Sequence, residues 1–121
     1  MSTWSEEDLR VIERAGEIRV SGRRDDGSLR PLVIVWHVVV GGAPYVRSVR
    51  GTGGKWYQGV ARHHEGAISW RGQSRDVSYI PDSTHDQAID AAYFAKYGNG
   101  SATRSITSAE ATETTLRIEP R

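Results

Sequence analysis

The spacing of apolar residues near the start of the chain predicts a helix that begins after Ser5. Leu9, Ile12 and Ala15 recur at helical spacing, so they share one face that a core can cover. Ser5 is a preferred N-cap residue because its hydroxyl can accept a hydrogen bond from a free backbone N–H of the first turn. We expect Gly16 to end this helix in the left-handed conformation that glycine adopts without strain.

Alternating apolar residues then predict strands. Within residues 17–21, Ile18 and Val20 point to the same face. Residues 32–40 are rich in β-branched side chains and apolar on both faces, a pattern typical of a central strand that is buried on both sides. A turn of glycine and proline follows and leads into residues 45–49. We expect these strands to form an antiparallel meander.

The remainder of the chain continues to alternate between strands and helices. The predicted elements are a helix at 55–63, a hairpin of strands at 67–71 and 74–80, a helix from 83 to 97, a polar loop at 99–112 with one helical turn near residue 108, and a strand at 114–118. The total is about six strands and about three helices in a single domain over residues 1–121. The predicted fold class is α+β, and a small antiparallel barrel would leave no sheet edge exposed.

Composition and charge narrow the location and the partners. The chain has 16 basic and 15 acidic residues and no cysteine. Because the charge is nearly balanced, nucleic-acid binding is unlikely and a small anionic ligand fits better. The longest apolar run, residues 32–40, is too short to span a bilayer, and the polar N-terminus does not resemble a signal peptide. We expect a cytoplasmic protein with no membrane partner.

A basic, glycine-rich segment between Tyr45 and Trp56 is the most function-like feature of the sequence. Arg47, Arg50 and Lys55 supply positive charge, and the glycines between them let backbone N–H groups approach an anion. A strand that leads through such a loop into a helix is a common anion receptor, and a flexible surface turn is the alternative. The segment is not a P-loop, because the lysine is followed by tryptophan instead of serine or threonine.

Histidine and aromatic residues give further candidates. His37 lies within the most apolar strand, where it is either a general acid or base facing a pocket or a hydrogen-bonded barrel residue. Trp36, Trp56 and Tyr45 either line a pocket that stacks a flat ring or fill the core. The run 63–65, His-His-Glu, lacks the spacing of a metal site, so we predict no bound metal.

Several segments resemble a small bacterial family of unknown function, domain of unknown function 2255. They are Trp36-His-Val-Val-Val40, Tyr45-Val-Arg-Ser48, Trp56-Tyr57, Ala92-Tyr-Phe-Ala-Lys-Tyr-Gly98 and Thr115-Leu-Arg-Ile-Glu-Pro120. That family is similar to the flavin- and deazaflavin-binding split β-barrels, the superfamily of the pyridoxamine-phosphate oxidases and the deazaflavin-dependent nitroreductases. The resemblance implies a small antiparallel split β-barrel of bacterial origin that forms a homodimer.

The resemblance also implies a cofactor site. In the similar proteins a strand end and a helix start hold the cofactor phosphate, and the matching positions here are Ser48 and Gly54-Lys55. Arg47 and Arg50 are plausible neighbours, and Trp56 follows directly. The chain lacks the Lys-Thr-Gly-Lys-x-Arg element typical of the nitroreductases. FMN, a deazaflavin and no cofactor at all therefore remain open.

Three functions follow from these observations. The first is a binding protein for a phosphorylated aromatic ligand of flavin or deazaflavin type, with oxidoreductase activity through the bound cofactor. The second is a cofactor-free enzyme or binder of a small anionic metabolite, with His37, Tyr45 and Arg47 as its polar groups and His37 and Tyr45 as catalytic residues. The third is a dimeric interaction module without enzymatic activity.

Overall fold

The first helix, α1, runs from Glu6 to Arg14 in the computed structural model, which describes residues 3–121. The backbone N–H of Asp8 donates to the Ser5 hydroxyl at 3.1 Å, which confirms the predicted N-cap. The predicted left-handed ending at Gly16 is wrong, because Gly16 has no positive φ and Ala15 is already extended. The chain passes directly into the first strand, and the Gly16 carbonyl accepts a hydrogen bond from the Tyr97 hydroxyl at 2.9 Å.

Residues 3–121 form seven strands and five α-helices. The strands are β1 Ile18–Gly22, β2 Val33–Val35, β3 His37–Val40, β4 Ala43–Val46, β5 Glu65–Trp70, β6 Gln73–Pro81 and β7 Leu116–Pro120. The further helices are α2 Lys55–Ala61, α3 Asp86–Tyr97, α4 Ser101–Ile106 and α5 Ala109–Thr112, and a 3-10 turn spans Gly51–Gly53. The α+β class is confirmed. The additional helices are short and lie in the segment that was predicted as a loop, where Ser108 caps α5.

All seven strands join in one antiparallel sheet with the order β2-β1-β5-β6-β7-β4-β3. β2 and β3 stand at opposite ends of this order, yet only Trp36 separates them along the chain. The sheet must therefore curl until its two ends meet at Trp36. The result is a nearly closed barrel, which removes most of the exposed sheet edge.

The prediction that residues 32–40 form a central strand buried on both sides is wrong. The segment breaks at Trp36, and its halves pair with different neighbours: β2 pairs with β1, and β3 with β4. Leu32, Val33 and Ile34 remain exposed because nothing in the described chain covers the outer face of β2. The pattern of apolar residues reports how much surface must be covered, but it does not say what covers it.

Most of the core lies inside the curled sheet. One cluster of buried residues draws side chains from six of the seven strands and from α1 and α2. Two polar links cross this core: the Trp4 indole N–H donates to the Ile118 carbonyl at 2.8 Å, and the Tyr79 hydroxyl donates to the Ser21 carbonyl at 2.9 Å. A second cluster packs α3 and α4 against the outer face of β3 and β4.

Glycines allow α2 to lie directly on β1. A Cβ atom on Gly22 would come within 2.6 Å of the Gly59 carbonyl oxygen, and one on Gly66 would lie 1.9 Å from the Ser21 carbonyl oxygen. Side chains at these positions would therefore push the helix and the neighbouring strand away. The close approach brings the start of α2, at Lys55, beside the end of β1.

No helix in residues 3–121 is both long and apolar enough to cross a membrane.

Candidate ligand-binding groove

The junction between β4 and α2 has the compact form that its glycines predict. The Gly51 N–H donates to the Ser48 carbonyl at 2.9 Å, and Gly51 adopts a φ of +63°. The Ser48 N–H donates to the Thr114 hydroxyl at 2.8 Å, which ties the turn to the chain before β7. A Cβ atom on Gly54 would lie 2.2 Å from the Ser48 Oγ. The structure thus brings Ser48 and Gly54 into contact directly before Lys55.

A hollow of about 300 Å³ opens beside Lys55, and we call it the lysine hollow. Its lining residues are Val20, Ser21, Gly22, Arg30, Pro31, Val33, Lys55 and Trp56. The Ser21 Oγ and the Arg30 Nε are buried and have no hydrogen-bond partner within residues 3–121. A buried polar atom without a partner costs free energy that a ligand can recover. With two cationic side chains at one rim, the missing partner is most simply an anion.

A second hollow, of about 240 Å³, lies on the other side of Trp56, and we call it the tryptophan hollow. Its lining residues are Ile34, Val35, Trp36, Arg47, Val49, Trp56, Ala102 and Ile106. Trp36 is held in place by stacking on Tyr97, with ring centroids 4.1 Å apart and planes 3° from parallel. The two hollows share Trp56 and are lined by neighbouring residues of β2, and we call this pair of hollows the β2 groove.

Arg47 lies at the tryptophan hollow with its guanidinium fully engaged by protein groups. Its Nη1 donates to the Asp90 carboxylate at 2.5 Å and to the Ile106 carbonyl at 3.3 Å, and its Nε donates to the Thr115 hydroxyl at 2.9 Å. Its Nη2 donates to the Asp86 carbonyl at 3.4 Å and lies 3.5 Å from the Asp86 carboxylate, an ion-pair distance. The side chain is 0% exposed. Four of the five N–H groups of Arg47 therefore donate to protein acceptors, and Nη2 also forms the ion pair with Asp86.

Of the other residues predicted to contact a cofactor, some line the groove and others do not. Lys55 and Trp56 line the groove, as a ligand site requires. Ser48 supports Gly54 but lines neither hollow, and Arg50 is exposed outside both. The predicted contacts of Ser48, Gly54 and Arg50 with a cofactor stay predictions.

His37 is fully buried and tied to the backbone. Its Nε2 lies 2.5 Å from the Ile12 carbonyl oxygen, a contact that requires a proton on Nε2, while its Nδ1 has no partner among the described residues. The Lys96 ammonium lies 3.3 Å from Nε2. Burial, with a smaller contribution from the Lys96 charge, lowers the pKa of His37 to about 4. His37 lines neither hollow, so its catalytic role stays a prediction without contact to the groove.

Tyr45 also lies away from the groove. Its hydroxyl donates to the Asp82 carboxylate at 3.3 Å, and burial raises the pKa of the phenol. Hydrogen bonds from Thr84 hold the pKa of Asp82 well below its usual range, with Arg117 adding to the effect. Asp82 lines a third hollow, of about 410 Å³, whose other charged residues, Asp86 and Glu113, are also acidic. This hollow is unsuited to the anionic ligand that the sequence predicts.

The histidines of the run 63–65 take no part in a metal site. His63 Nε2 lies 2.9 Å from the Asp25 carboxylate, which Arg62 also contacts at 2.8 Å. Within residues 3–121 no group of three or more histidine, aspartate or glutamate side chains is arranged to hold a metal ion.

Sequence reasoning missed Ser21 and Arg30. Ser21 belongs to a strand that the alternation pattern predicts well, and Arg30 follows a turn that carries other arginines. Neither position has a sequence signal that points to Lys55. They meet it only because Gly22 lets α2 lie against β1. The one feature of the sequence that could have drawn attention to Arg30 is its position directly before a proline, at the start of an apolar run.

Comparisons with known proteins agree with this architecture. The model of a family described as uncharacterized protein conserved in bacteria, DUF2255, matches residues 8–118. No curated protein sequence matches significantly. Among solved structures, the haem storage protein HutZ from Vibrio cholerae is similar with a TM-score of 0.66 and 10% identity, covering 98% of this chain and 91% of that one.

Two further solved structures are similar over most of both chains. An F420 reductase has a TM-score of 0.54 and 15% identity, covering 93% of this chain and 90% of that one. An FAD-binding protein from Mesorhizobium loti has a TM-score of 0.52 and 13% identity, covering 97% and 88%. At such identities these structures establish the fold alone, and they confirm the predicted split barrel.

Proposed function

The chain belongs to the uncharacterised bacterial family DUF2255, and we propose that it binds a phosphorylated aromatic cofactor of flavin or deazaflavin type in the β2 groove. The phosphate would occupy the lysine hollow and the ring system would lie along Trp56. The similar structures named as binding FAD, F420 or haem support small-molecule binding by this kind of barrel.

The observation that carries the proposal is the pair of unpartnered polar atoms in the lysine hollow. Ser21 is 3% exposed, and its hydroxyl has no partner among residues 3–121, nor has the Arg30 Nε. Lys55 lines the same hollow with an exposed side chain. A phosphate offers several acceptor oxygens and can bind the hydroxyl, the guanidinium and the ammonium together.

The remainder of the groove suits a flat ring. Trp56 is half-buried between the two hollows, and its indole gives an aromatic face on which a ring can stack. The lysine hollow measures about 300 Å³, which is at the lower end of the range of natural ligand sites.

Haem fits the groove less well than a flavin does. Haem iron needs an axial ligand from histidine, methionine, cysteine or tyrosine. Neither of the two hollows is lined by any of these residues. The residues present thus favour a phosphorylated organic cofactor over haem.

A bound flavin or deazaflavin would supply the transfer of hydride or electrons, which makes the protein an oxidoreductase in this proposal. The chain's own residues would hold the phosphate and orient the ring. Pro31 and Val33, which line the lysine hollow, would keep water from part of that ring.

The outer face of β2 supports the proposal of a homodimer. Ile34 is 50% exposed and Val49 is 51% exposed, and both line the groove. Leu32 and Val33 continue this apolar surface. A second copy of the chain would cover these side chains and close the groove from outside.

Titration with FMN and with riboflavin, followed by flavin and tryptophan fluorescence, tests the phosphate contact. Because charge-assisted hydrogen bonds contribute about 1.5–3 kcal/mol, we expect FMN to bind about tenfold or more tightly than riboflavin. Lys55→Gln and Ser21→Ala should each reduce this preference. Lys96→Gln removes the only other lysine in the chain and is the matched control.

Three outcomes separate the alternatives. Equal affinity for FMN and riboflavin would place the phosphate elsewhere, and absence of binding by FMN and F420 at tens of micromolar would refute a flavin-type cofactor. Binding of inorganic phosphate without either cofactor would favour the cofactor-free binder of an anionic metabolite.

The variant Arg50→Gln tests the predicted contact of Arg50 with the phosphate. We expect this variant to keep the preference for FMN over riboflavin, because Arg50 lines neither hollow.

A further inference from the structure

The positive charge of Arg47 at the tryptophan hollow is offset by two carboxylates. Arg47 carries one positive charge, while the two carboxylates that contact it, Asp86 and Asp90, carry two negative charges. The cluster therefore has a net charge of −1 when all three groups are ionised. An anion that enters this hollow therefore meets an arginine whose charge the two carboxylates offset.

Most of the hydrogen-bonding capacity of Arg47 is also used, because four of its five N–H groups donate to protein acceptors. Its three nitrogens donate to the carboxylate of Asp90, the hydroxyl of Thr115 and the carbonyls of Ile106 and Asp86. The Tyr93 ring lies 5.8 Å from the guanidinium carbon and covers one of its faces. A ligand carboxylate would have to displace one of these partners, and the displaced carboxylate would be left without its cation.

The other walls of the hollow are apolar and aromatic. Trp36 and Trp56 are both half-buried and present ring surface, while Ile34 and Val49 are half-exposed at the opening. Trp36 cannot turn away freely because it stacks on Tyr97. The hollow thus has fixed aromatic surface and an arginine that is buried and paired with two carboxylates.

We propose that the tryptophan hollow binds an uncharged, flat aromatic molecule and discriminates against its carboxylate analogues. As a second reactant, this molecule would lie across Trp56 from the ligand in the lysine hollow, a role that rests on the proposed function. The two hollows then sort ligands by charge: the lysine hollow takes the anionic group, and the tryptophan hollow takes a neutral ring.

A matched pair of probes tests the discrimination. 2-Naphthalenemethanol and 2-naphthoate have the same ring system and differ in charge. We expect the alcohol to bind about tenfold more tightly, measured by tryptophan fluorescence and by saturation-transfer NMR. Asp90→Asn removes one carboxylate from the cluster and should narrow this difference. Asp76→Asn should not, because Asp76 pairs with Arg23 and not with Arg47.

The location of the probe is tested by filling the hollow. Ala102 and Val49 line it and are exposed, so Ala102→Trp and Val49→Trp reduce its volume without disturbing the core. Both variants should weaken the binding of 2-naphthalenemethanol and leave the protein's preference for FMN over riboflavin unchanged. Equal affinity for the two probes, or unchanged binding in both filled variants, would overturn the inference.

Failure of the proposed function has a different signature. If the protein binds FMN no more tightly than riboflavin, while 2-naphthalenemethanol binds the wild type but not the filled variants, the cofactor proposal fails and the neutral aromatic site stands. If FMN binds as proposed and neither naphthalene probe binds, the neutral site fails alone.

Discussion

Replacing His37 by glutamine should remove a large part of the protein's sensitivity to mild acid. His37 is 0% exposed, and its Nε2 donates to the Ile12 carbonyl at 2.5 Å. Burial, reinforced by the Lys96 charge, lowers the pKa of His37 to about 4 in the folded protein. In the unfolded chain the same group has an ordinary pKa of about 6.5.

The sign of the effect follows from these two values. Because the folded pKa is the lower one, the unfolded chain takes up a proton first as the pH falls, and protonation draws the protein toward the unfolded state. The contribution of neutral His37 is complete above pH 6.5 and is lost between pH 6.5 and pH 4. The gap corresponds to about 3 kcal/mol below pH 4, of which about 2 kcal/mol is already lost at pH 5.

Urea unfolding at pH 7 and at pH 5, followed by tryptophan fluorescence, measures this loss. The wild type should lose about 2 kcal/mol more than His37→Gln between these pH values. Glutamine keeps an amide N–H that can donate to the Ile12 carbonyl and does not titrate. His63→Gln, at an exposed histidine, is the control and should behave as the wild type. An equal loss in wild type and His37→Gln would refute the reasoning.

Two further predictions concern glycines at close contacts. Gly54→Ala places a Cβ atom 2.2 Å from the Ser48 Oγ and should lower the free energy of unfolding in urea by about 1 kcal/mol. Adding Ser48→Ala to the same chain should largely remove this cost. An equal cost in both backgrounds would show that the strain lies elsewhere. Gly66→Ala places a Cβ atom 1.9 Å from the backbone oxygen of Ser21, which cannot rotate away, so the melting temperature should fall by about 10 °C or more. A Cβ atom at Gly16 would have no other atom within 4 Å, so Gly16→Ala should leave the melting temperature nearly unchanged. Similar shifts in melting temperature for Gly66→Ala and Gly16→Ala would contradict the contact between Gly66 and Ser21.

The elements with local signals could be predicted from the sequence. The helix at Glu6–Arg14 follows from its apolar spacing and its Ser5 cap, and the helix Asp86–Tyr97 ends at Gly98, which has a φ of +85°. In both cases the cause of the structure lies within a few residues of the feature itself.

The strand at residues 32–40 could not be predicted correctly, because its environment depends on closure of the barrel. Its two halves pair with β1 and β4, which are far apart in the sheet order. Val33 and Ile34 of β2 are exposed and nothing in residues 3–121 covers them, whereas Val35 lies in the core. Alternation alone does not distinguish a residue that faces a core from one that faces a partner.

Only the part of the candidate site at the start of α2 could be predicted from the sequence. The loop before Lys55 carries its own signal in glycines and positive charges, so the helix start could be located. Ser21 and Arg30 reach the same hollow through the packing of α2 on β1, which no local pattern reports. Arg47 has the residue type of an anion ligand, but the aspartates of α3, about forty positions later, neutralise it.

The position of β7 has a consequence for how the chain folds. β7 pairs with both β6 and β4, so the register of residues 45 and 46 depends on residues 116 and 117. Without β7 the sheet order falls into a piece of four strands and a hairpin of two, which the chain connects at Trp36 and through residues 47–64. Closure must wait for contacts between residues some seventy positions apart. Such high contact order predicts slow folding, and during synthesis the edges of β6 and β4 stay open to non-native pairing until residues 116–120 emerge.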